Sequence, residues 1–205
     1  MERAAAAAIL GRRPRVSEAD RRELERLAVS DPDARVRAVA LGALVHAAPR
    51  RRAAAAWRAG AHDEDSNVRR RAAEVAPALG RDASPRVLLA LLADTEPLVA
   101  EAAAFALGEY PIATARVVAA LGRTAGTHDD ALVREAAVAA LGAIGDPSAL
   151  PAVLAACDDK PAVRRRAVLA LAAFEGEQVE ARLKQALVDR DWQTRQAAEQ
   201  LLADG

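Results

Sequence analysis

Aromatic side chains are scarce in this sequence: two tryptophans, two phenylalanines and one tyrosine in 205 residues. Surfaces that hold single-stranded nucleic acid stack bases on such rings while Lys and Arg neutralise phosphates. The ring half of that equipment is thin here. Cysteine is represented by Cys157 alone, which excludes an internal disulfide framework and fits a reducing compartment. Cys157 also precedes Asp158-Asp159, a setting that disfavours a thiolate, so it reads as a structural residue. His46, His62 and His128 stand far apart, with neither the i, i+4 nor the C-x-x-C spacing of a metal site. No metal, no cofactor and no catalytic set is expected. A phosphate-binding glycine loop is missing too, since Gly142 and Gly145 close a helical run and follow no strand. The longest opening apolar run, residues 4–10, is too short for a secretory signal or a membrane span; it reads as an alanine-rich helix. Lysine occurs only at Lys160 and Lys184. That arginine bias, with abundant alanine, is what a GC-rich genome produces, and the expectation is a bacterial cytoplasmic protein.

Neither charge sign dominates, with 29 basic and 29 acidic residues, which argues against bulk nucleic-acid or membrane binding. The halves differ, however. Residues 1–81 carry 17 basic and 11 acidic side chains, a net of +6, and residues 82–205 carry 12 and 18, a net of −6. Three uses remain open: an anionic partner at the N-terminal end, head-to-tail contact between copies, or ordinary solvated surface. An arginine group comprising Arg12, Arg13, Arg15, Arg50, Arg51, Arg52, Arg58, Arg69, Arg70 and Arg71 is the candidate for the first.

What the chain does have is repetition. Around Val133 runs a helix-like pattern of small and apolar residues, opened by Asp130 and closed by Gly145 and Pro147. Aligned on Val133, further segments fit at Val36, Val68, Val99, Val163 and Thr194, at intervals of 32, 31, 34, 30 and 31 residues. A period near 30 is the mark of stacked helical hairpins. The predicted outer helices cover residues 20–29, 50–61, 85–93, 112–125, 150–156 and 178–188, and the inner ones 34–47, 66–79, 97–110, 131–144, 161–174 and 192–203. The expected organisation is an N-terminal helix and basic connector over 1–16, then an array over 17–205. Its repeats are 17–48, 49–80, 81–111, 112–146, 147–176 and 177–205. Thr194 in place of valine, with no later repeat to cover it, makes the last repeat the one expected to fray. Trp57 and Trp192 read as packing residues, the latter also as a shield for the terminal repeat.

Polar columns repeat with the same period. Asp33, Asp65, Glu96, Asp130 and Asp191 stand three residues before the aligned positions, where a carboxylate caps helix amides. Lys160 interrupts that column, and Asp158 or Asp159 is the expected substitute. A second acidic column holds Asp31, Asp63, Asp94, Asp158 and Asp189, with His128 in the fourth repeat. One residue after the aligned position come Arg37, Arg69, Arg134, Arg164 and Arg195, interrupted by Ala100. The pattern Asp-x-x-x-x-Val-Arg-x-x-Ala, followed by Ala-Leu-Gly, resembles the HEAT repeat, in the short bacterial form also seen in phycobilin lyases. The resemblance covers about residues 20–203. It implies an all-α solenoid of six helical-hairpin repeats with an extra N-terminal helix. It also implies that the Asp and Arg columns form a hydrogen-bonded ladder between neighbouring repeats. Anion binding by the Arg column is the alternative.

Function is less legible than fold, because such scaffolds serve many tasks. With the aligned position and those 3, 4, 7, 8 and 11 residues later facing the core, positions 2, 5, 6 and 9 later face outward. That row contains Leu41, Phe105, Val138, Val168 and Leu169 beside Arg70, Glu74, Glu101, Glu135 and Arg165. Apolar residues flanked by both charges describe a groove for a peptide, helix or protein edge. The competing reading buries part of this row between close-packed inner helices. The leading expectation is a non-catalytic scaffold binding a protein or peptide along its concave, inner-helix face. Two alternatives stand beside it: a lyase or accessory factor resembling the phycobilin lyases, and a nucleic-acid-binding protein like the HEAT-like alkylpurine DNA glycosylases. The mixed charge of the row argues against the second.

Overall fold

A computed structural model describes residues 2–13 and 16–204, apart from the side chain of residue 204. Thirteen α-helices occupy them. They are α1 (Glu2–Gly11), α2 (Glu18–Ser30), α3 (Ala34–Ala47), α4 (Arg50–Gly60), α5 (Ser66–Leu79), α6 (Pro85–Leu92) and α7 (Pro97–Gly108), then α8 (Ala115–Thr127), α9 (Ala131–Ile144), α10 (Leu150–Ala156), α11 (Pro161–Ala170), α12 (Glu177–Ala186) and α13 (Trp192–Asp204). Among the described residues there is no strand, and no helix is long and apolar enough to cross a membrane. The architecture is an all-α solenoid. The chain divides into two compact units, Met1–Ala106 and Leu107–Gly205, the division falling within the sequence of α7.

Helix starts follow the predicted caps. Asp33, Asp65 and Asp130 accept from the backbone N–H two residues on, at 3.0, 2.8 and 2.8 Å, each satisfying one of the amides a helix leaves unpaired. Ser17 and Asp20 form a complete capping box at the head of α2. Thr194 is buried, and its hydroxyl donates to Asp191 at 2.8 Å, so this polar substitute for valine is satisfied rather than strained. Gly145 ends α9 in the left-handed conformation, φ 65°, where a side chain would be disfavoured. Several helix ends differ from expectation: the fourth outer helix begins at Ala115 rather than at 112, and the sixth outer helix stops at Ala186 rather than at 188. The third inner helix stops at Gly108, and the last turn of the fifth, Leu171–Ala173, tightens to a 3-10 helix.

Within each unit the inner helices lie side by side, running the same way. Near their far ends glycine permits the approach. A Cβ on Gly11 would stand 2.5 Å from Ala43 Cβ, one on Gly108 2.9 Å from Ala140 Cα, and one on Gly142 2.7 Å from Ala170 Cβ. Gly108 and Gly142 stand nine residues after an aligned valine, and their partner alanines seven after the next one. Gly11 bears the same relation to Glu2. The helix α1 is therefore not the separate N-terminal helix expected from the sequence. It packs on α3 as a further inner helix, and Ala7, five residues after Glu2, is buried like its equivalents in α3 and α5. Its alanine-rich sequence hid the period, since Glu2 replaces the valine used for alignment.

Candidate functional site

Two candidate arrangements emerge: the Asp–Arg ladder and the exposed side of the inner helices. In the ladder Arg37, Arg69, Arg134 and Arg164 are each held at all three guanidinium nitrogens. Arg37 Nη1 donates to the Asp31 carbonyl at 2.9 Å, while its Nε and Nη2 reach Asp63 at 2.8 and 2.7 Å. Asp63 Oδ1 in turn accepts from Asp65 N at 2.9 Å, so one carboxylate shapes its own turn and receives the preceding repeat. Arg69 grips Asp94 in the same manner at 2.7 and 2.9 Å. In the second unit Arg134 grips Asp159 at 2.7 Å twice, and Arg164 grips Asp189 at 3.0 and 2.8 Å. Bidentate charge-assisted pairs of this kind are the strong class of hydrogen bond. The arginines beside Asp94, Asp159 and Asp189 hold those carboxyls below their ordinary value. For Asp63 burial opposes the shift most strongly, but Arg37 and the Asp65 amide prevail and its value is also lowered.

Two ladder positions differ from the sequence reading. Asp158 is not a rung; Asp159 is. The turn in that repeat is one residue shorter, so Arg164 Nη1 finds its own-turn carbonyl five residues back, at Asp159. Arg37, Arg69, Arg134 and Arg195 find theirs six back. The 30-residue interval before Val163 was the available signal. Asp158 pairs instead with Arg182 at 2.5 Å. The sequence reading also missed a rung, because α1 went unrecognised as an inner helix: Arg3 reaches Asp31 at 2.9 and 3.1 Å. Arg195 is the exception at the other end. Its Nη1 is held by the Asp189 and Arg190 carbonyls at 2.7 and 3.3 Å, and its Nε and Nη2 meet no carboxylate among the described residues. His128, replacing aspartate, accepts the Asp130 amide on Nδ1 at 3.1 Å, which preserves the turn without a carboxylate.

The exposed side of the inner helices is rotated from the predicted row. Leu41, Val138 and Val168 are fully buried and offer a partner nothing. Position 5 faces the following repeat, as Leu41 Cδ2 lying where a Cβ on Gly60 would clash demonstrates. Position 6 is open in the third and fifth repeats, where Phe105 is 63 % exposed and Leu169 is exposed as well, whereas Gly42 at the same position of the first is buried. In the first unit Arg70, Glu74, Glu101 and Phe105 line one groove of about 300 Å³ between α5 and α7, with Pro77, Leu98 and small alanines at its base. Leu98, 53 % exposed, went unnoticed although it directly precedes an aligned core valine in the sequence. Glu74 holds the guanidinium groups of Arg70 and Arg71 at 3.3 and 3.0 Å. In the second unit Leu169 and Arg166 line a shallower depression with Ala139 and Gly142. Glu135, half-buried, faces Arg166 at 3.4 Å, and Arg165 bonds Gln193. Each unit thus has its own apolar exposure with mixed charge around it.

The remaining candidates disperse. Of the arginine group, Arg52 is bound by Glu18 and Glu25, Arg69 is a rung, Arg70 and Arg71 face Glu74, and Arg13 approaches Asp20 at 3.5 Å. Arg12, Arg50, Arg51 and Arg58 have no such carboxylate within 4.0 Å among the described residues; Arg15 lies outside them. Cys157 is buried, its thiol donates to the Val153 carbonyl at 3.5 Å, and burial pushes its pKa up against the pull of Arg182. Trp57 is a buried packing residue whose Nε1 donates to the Ala72 carbonyl at 2.8 Å. Trp192 is exposed. Among the described residues no group of three His, Cys, Asp or Glu side chains gathers as a metal ion would require.

Repeated helical hairpins, tied turn to turn by an Asp–Arg ladder, place the molecule among the α-solenoids. Its sequence matches the profile of HEAT repeats over residues 22–108, 84–162 and 127–203, and the chain belongs to the HEAT-repeat family. No curated protein sequence matches significantly. Solved structures do. The X-ray structure of YibA from Escherichia coli aligns with 99 % of this chain and 76 % of its own, at TM-score 0.74 and 20 % identity. Computationally designed armadillo repeat proteins for modular peptide recognition align over 97 % and 98 %, at TM-score 0.57 and 17 % identity. Human deoxyhypusine hydroxylase, in complex with glycerol, aligns over 98 % and 78 %, at TM-score 0.51 and 20 % identity. These likenesses concern the fold.

Proposed function

We propose that this chain is a non-catalytic scaffold of the bacterial cytoplasm. It binds a protein partner through the exposed side of its inner helices, with the groove between α5 and α7 as the principal seat. The observation that carries this reading is Phe105, standing largely in solvent beside Leu98 over a groove rimmed by Arg70, Glu74 and Glu101. Exposing two large apolar side chains together is costly unless something covers them. The charged rim suits the polar periphery of a protein contact, and the occupant is one apolar side chain of a peptide or helix flanked by residues of both signs. Designed proteins of the same architecture made for peptide recognition support the plausibility of that use.

The test is selection of a random peptide library on the chain, repeated with the Phe105→Asp and Leu169→Asp variants. Peptides enriched on the native chain should carry an apolar anchor and bind Phe105→Asp at least tenfold more weakly, a loss of about 1.4 kcal/mol. The variant should keep its urea midpoint, because the ring it replaces is mostly exposed. Equal binding by both proteins would sink the reading. Incubation with a bilin, followed by absorbance, and DNA binding at rising salt separate the lyase and nucleic-acid alternatives.

A further inference from the structure

The inner helices α1 and α13 present exposed faces that complement one another between copies. Inside each unit, positions one, five and nine after the aligned residue look toward the following repeat: Arg37 reaches Asp63, Leu41 abuts Gly60, and Gly142 rests on Ala170. In α13 those positions are Arg195, Glu199 and Ala203, with Trp192 on the same stripe; Glu199, Ala203 and Trp192 are all exposed. Arg195 is held by its own turn in the rung geometry, with Nε and Nη2 unmatched by any carboxylate among the described residues. The receiving face of an inner helix holds its aligned position and the one seven residues later, the latter meeting the glycine of the preceding repeat. In α1 these are Glu2 and Ile9, with Ala6 between them, all three exposed; Ile9 is 60 % so.

We infer that α13 of one copy seats on α1 of a second copy, continuing the inner-helix stack from chain to chain. The internal register, in which position nine meets position seven of the next helix, sets Ala203 against Ile9 and brings Arg195 beside Glu2. The vacant guanidinium fork thereby gains a carboxylate, as five other ladder arginines do. Long-range charge favours the same polarity, since residues 1–81 carry a net of +6 and residues 82–205 a net of −6. A second copy cannot instead displace α1 and use α13 in its place. Ala203 would then occupy the site of Gly11, where a Cβ comes 2.5 Å from Ala43, and Glu199 would fill the buried site of Ala7. Glu199 also makes the stacked contact weaker than an internal one, because it stands where internal helices bury alanine, leucine or valine. The association is reversible, and being heterologous it joins the α13 face of each copy to the α1 face of the next.

Sedimentation equilibrium of the full 205-residue chain tests this. The weight-average mass should climb with concentration above that of a single chain, and less so at high salt. Arg195→Glu and Glu2→Arg should each abolish the rise alone, and an equimolar mixture of the two should restore it, because both resulting end contacts are again oppositely charged. Ile9→Asp, a surface change on a helix whose fold does not depend on it, should abolish the rise. Glu199→Ala should tighten association several-fold. A single-chain mass up to about 0.5 mM, well above ordinary specific affinities, would overturn the inference. So would a mixture that stays monomeric, or an Ile9→Asp variant that associates like the native chain.

Discussion

A carboxylate one residue out of place decides which aspartate matters in the fifth repeat. Asp159 takes the Arg134 fork at 2.7 Å twice, while Asp158, with a side chain 75 % exposed, pairs with Arg182. Asp159→Ala should therefore cost about 2–3 kcal/mol, the penalty for leaving a largely buried guanidinium unpaired. Asp158→Ala should cost less, because Asp158 itself is exposed and holds Arg182 by a single bond, and that guanidinium keeps the Gln185 side-chain oxygen. Equal effects would remove the rung assignment. The same logic separates the ladder arginines, since the side chain of Arg37 is 9 % exposed and that of Arg3 59 %. Arg37→Met should shift the midpoint by about 2–3 kcal/mol, and Arg3→Met should shift it far less. These residues were legible in sequence as columns. The choice between neighbours was not, because a column counted from the helix cannot show how many residues the turn uses.

Elements pack through their smallest residues. Gly108 and Gly142 let neighbouring inner helices touch along their backbones, with an added Cβ falling 2.9 Å from Ala140 Cα and 2.7 Å from Ala170 Cβ. Gly142→Ala should destabilise by about 1–3 kcal/mol through overpacking. Gly126 is the control. It lies near the end of α8 with nothing within 4 Å of an added Cβ, and Gly126→Ala should stabilise by about 0.5 kcal/mol through helix propensity and chain entropy. Thermal melts of the two variants beside the native chain check both signs; a destabilised Gly126→Ala would contradict the packing. Helix positions and most caps were predicted from the hydrophobic period and the turn acids. The face each helix exposes was not. Leu41 and Val138 belong to the forward side of their helices, which the next repeat covers, and only neighbours of known position reveal that a helix is flanked on both sides.

For the whole molecule, the ladder ties stability to acid pH. The carboxyls of Asp31, Asp63, Asp94, Asp159 and Asp189 are all held below the ordinary 3.8, and that of the turn residue Asp33 is lowered to about 2. A group whose folded value is depressed binds its proton more readily when unfolded. Its contribution is present in full above the unfolded value and is lost as pH falls through the folded one. The melting temperature should stay flat, so far as these groups set it, from pH 8 to about 5 and fall steeply below about 4. A fall that begins between pH 7 and 6, or none at pH 3, would show that the rungs do not carry this stability. The sequence by itself determined the repeat, the all-α architecture, the helix boundaries to within a few residues and the chemistry of the ladder, because period and capping are local properties of the chain. Tertiary structure alone decided that α1 is a further inner helix, that Asp159 replaces Asp158, that Arg3 starts the ladder, and that Phe105 with Leu98 stays open while Leu41 and Val138 are covered. Each of those depends on turn length or on rotation about a helix axis, and both are settled by packing against the neighbouring repeat.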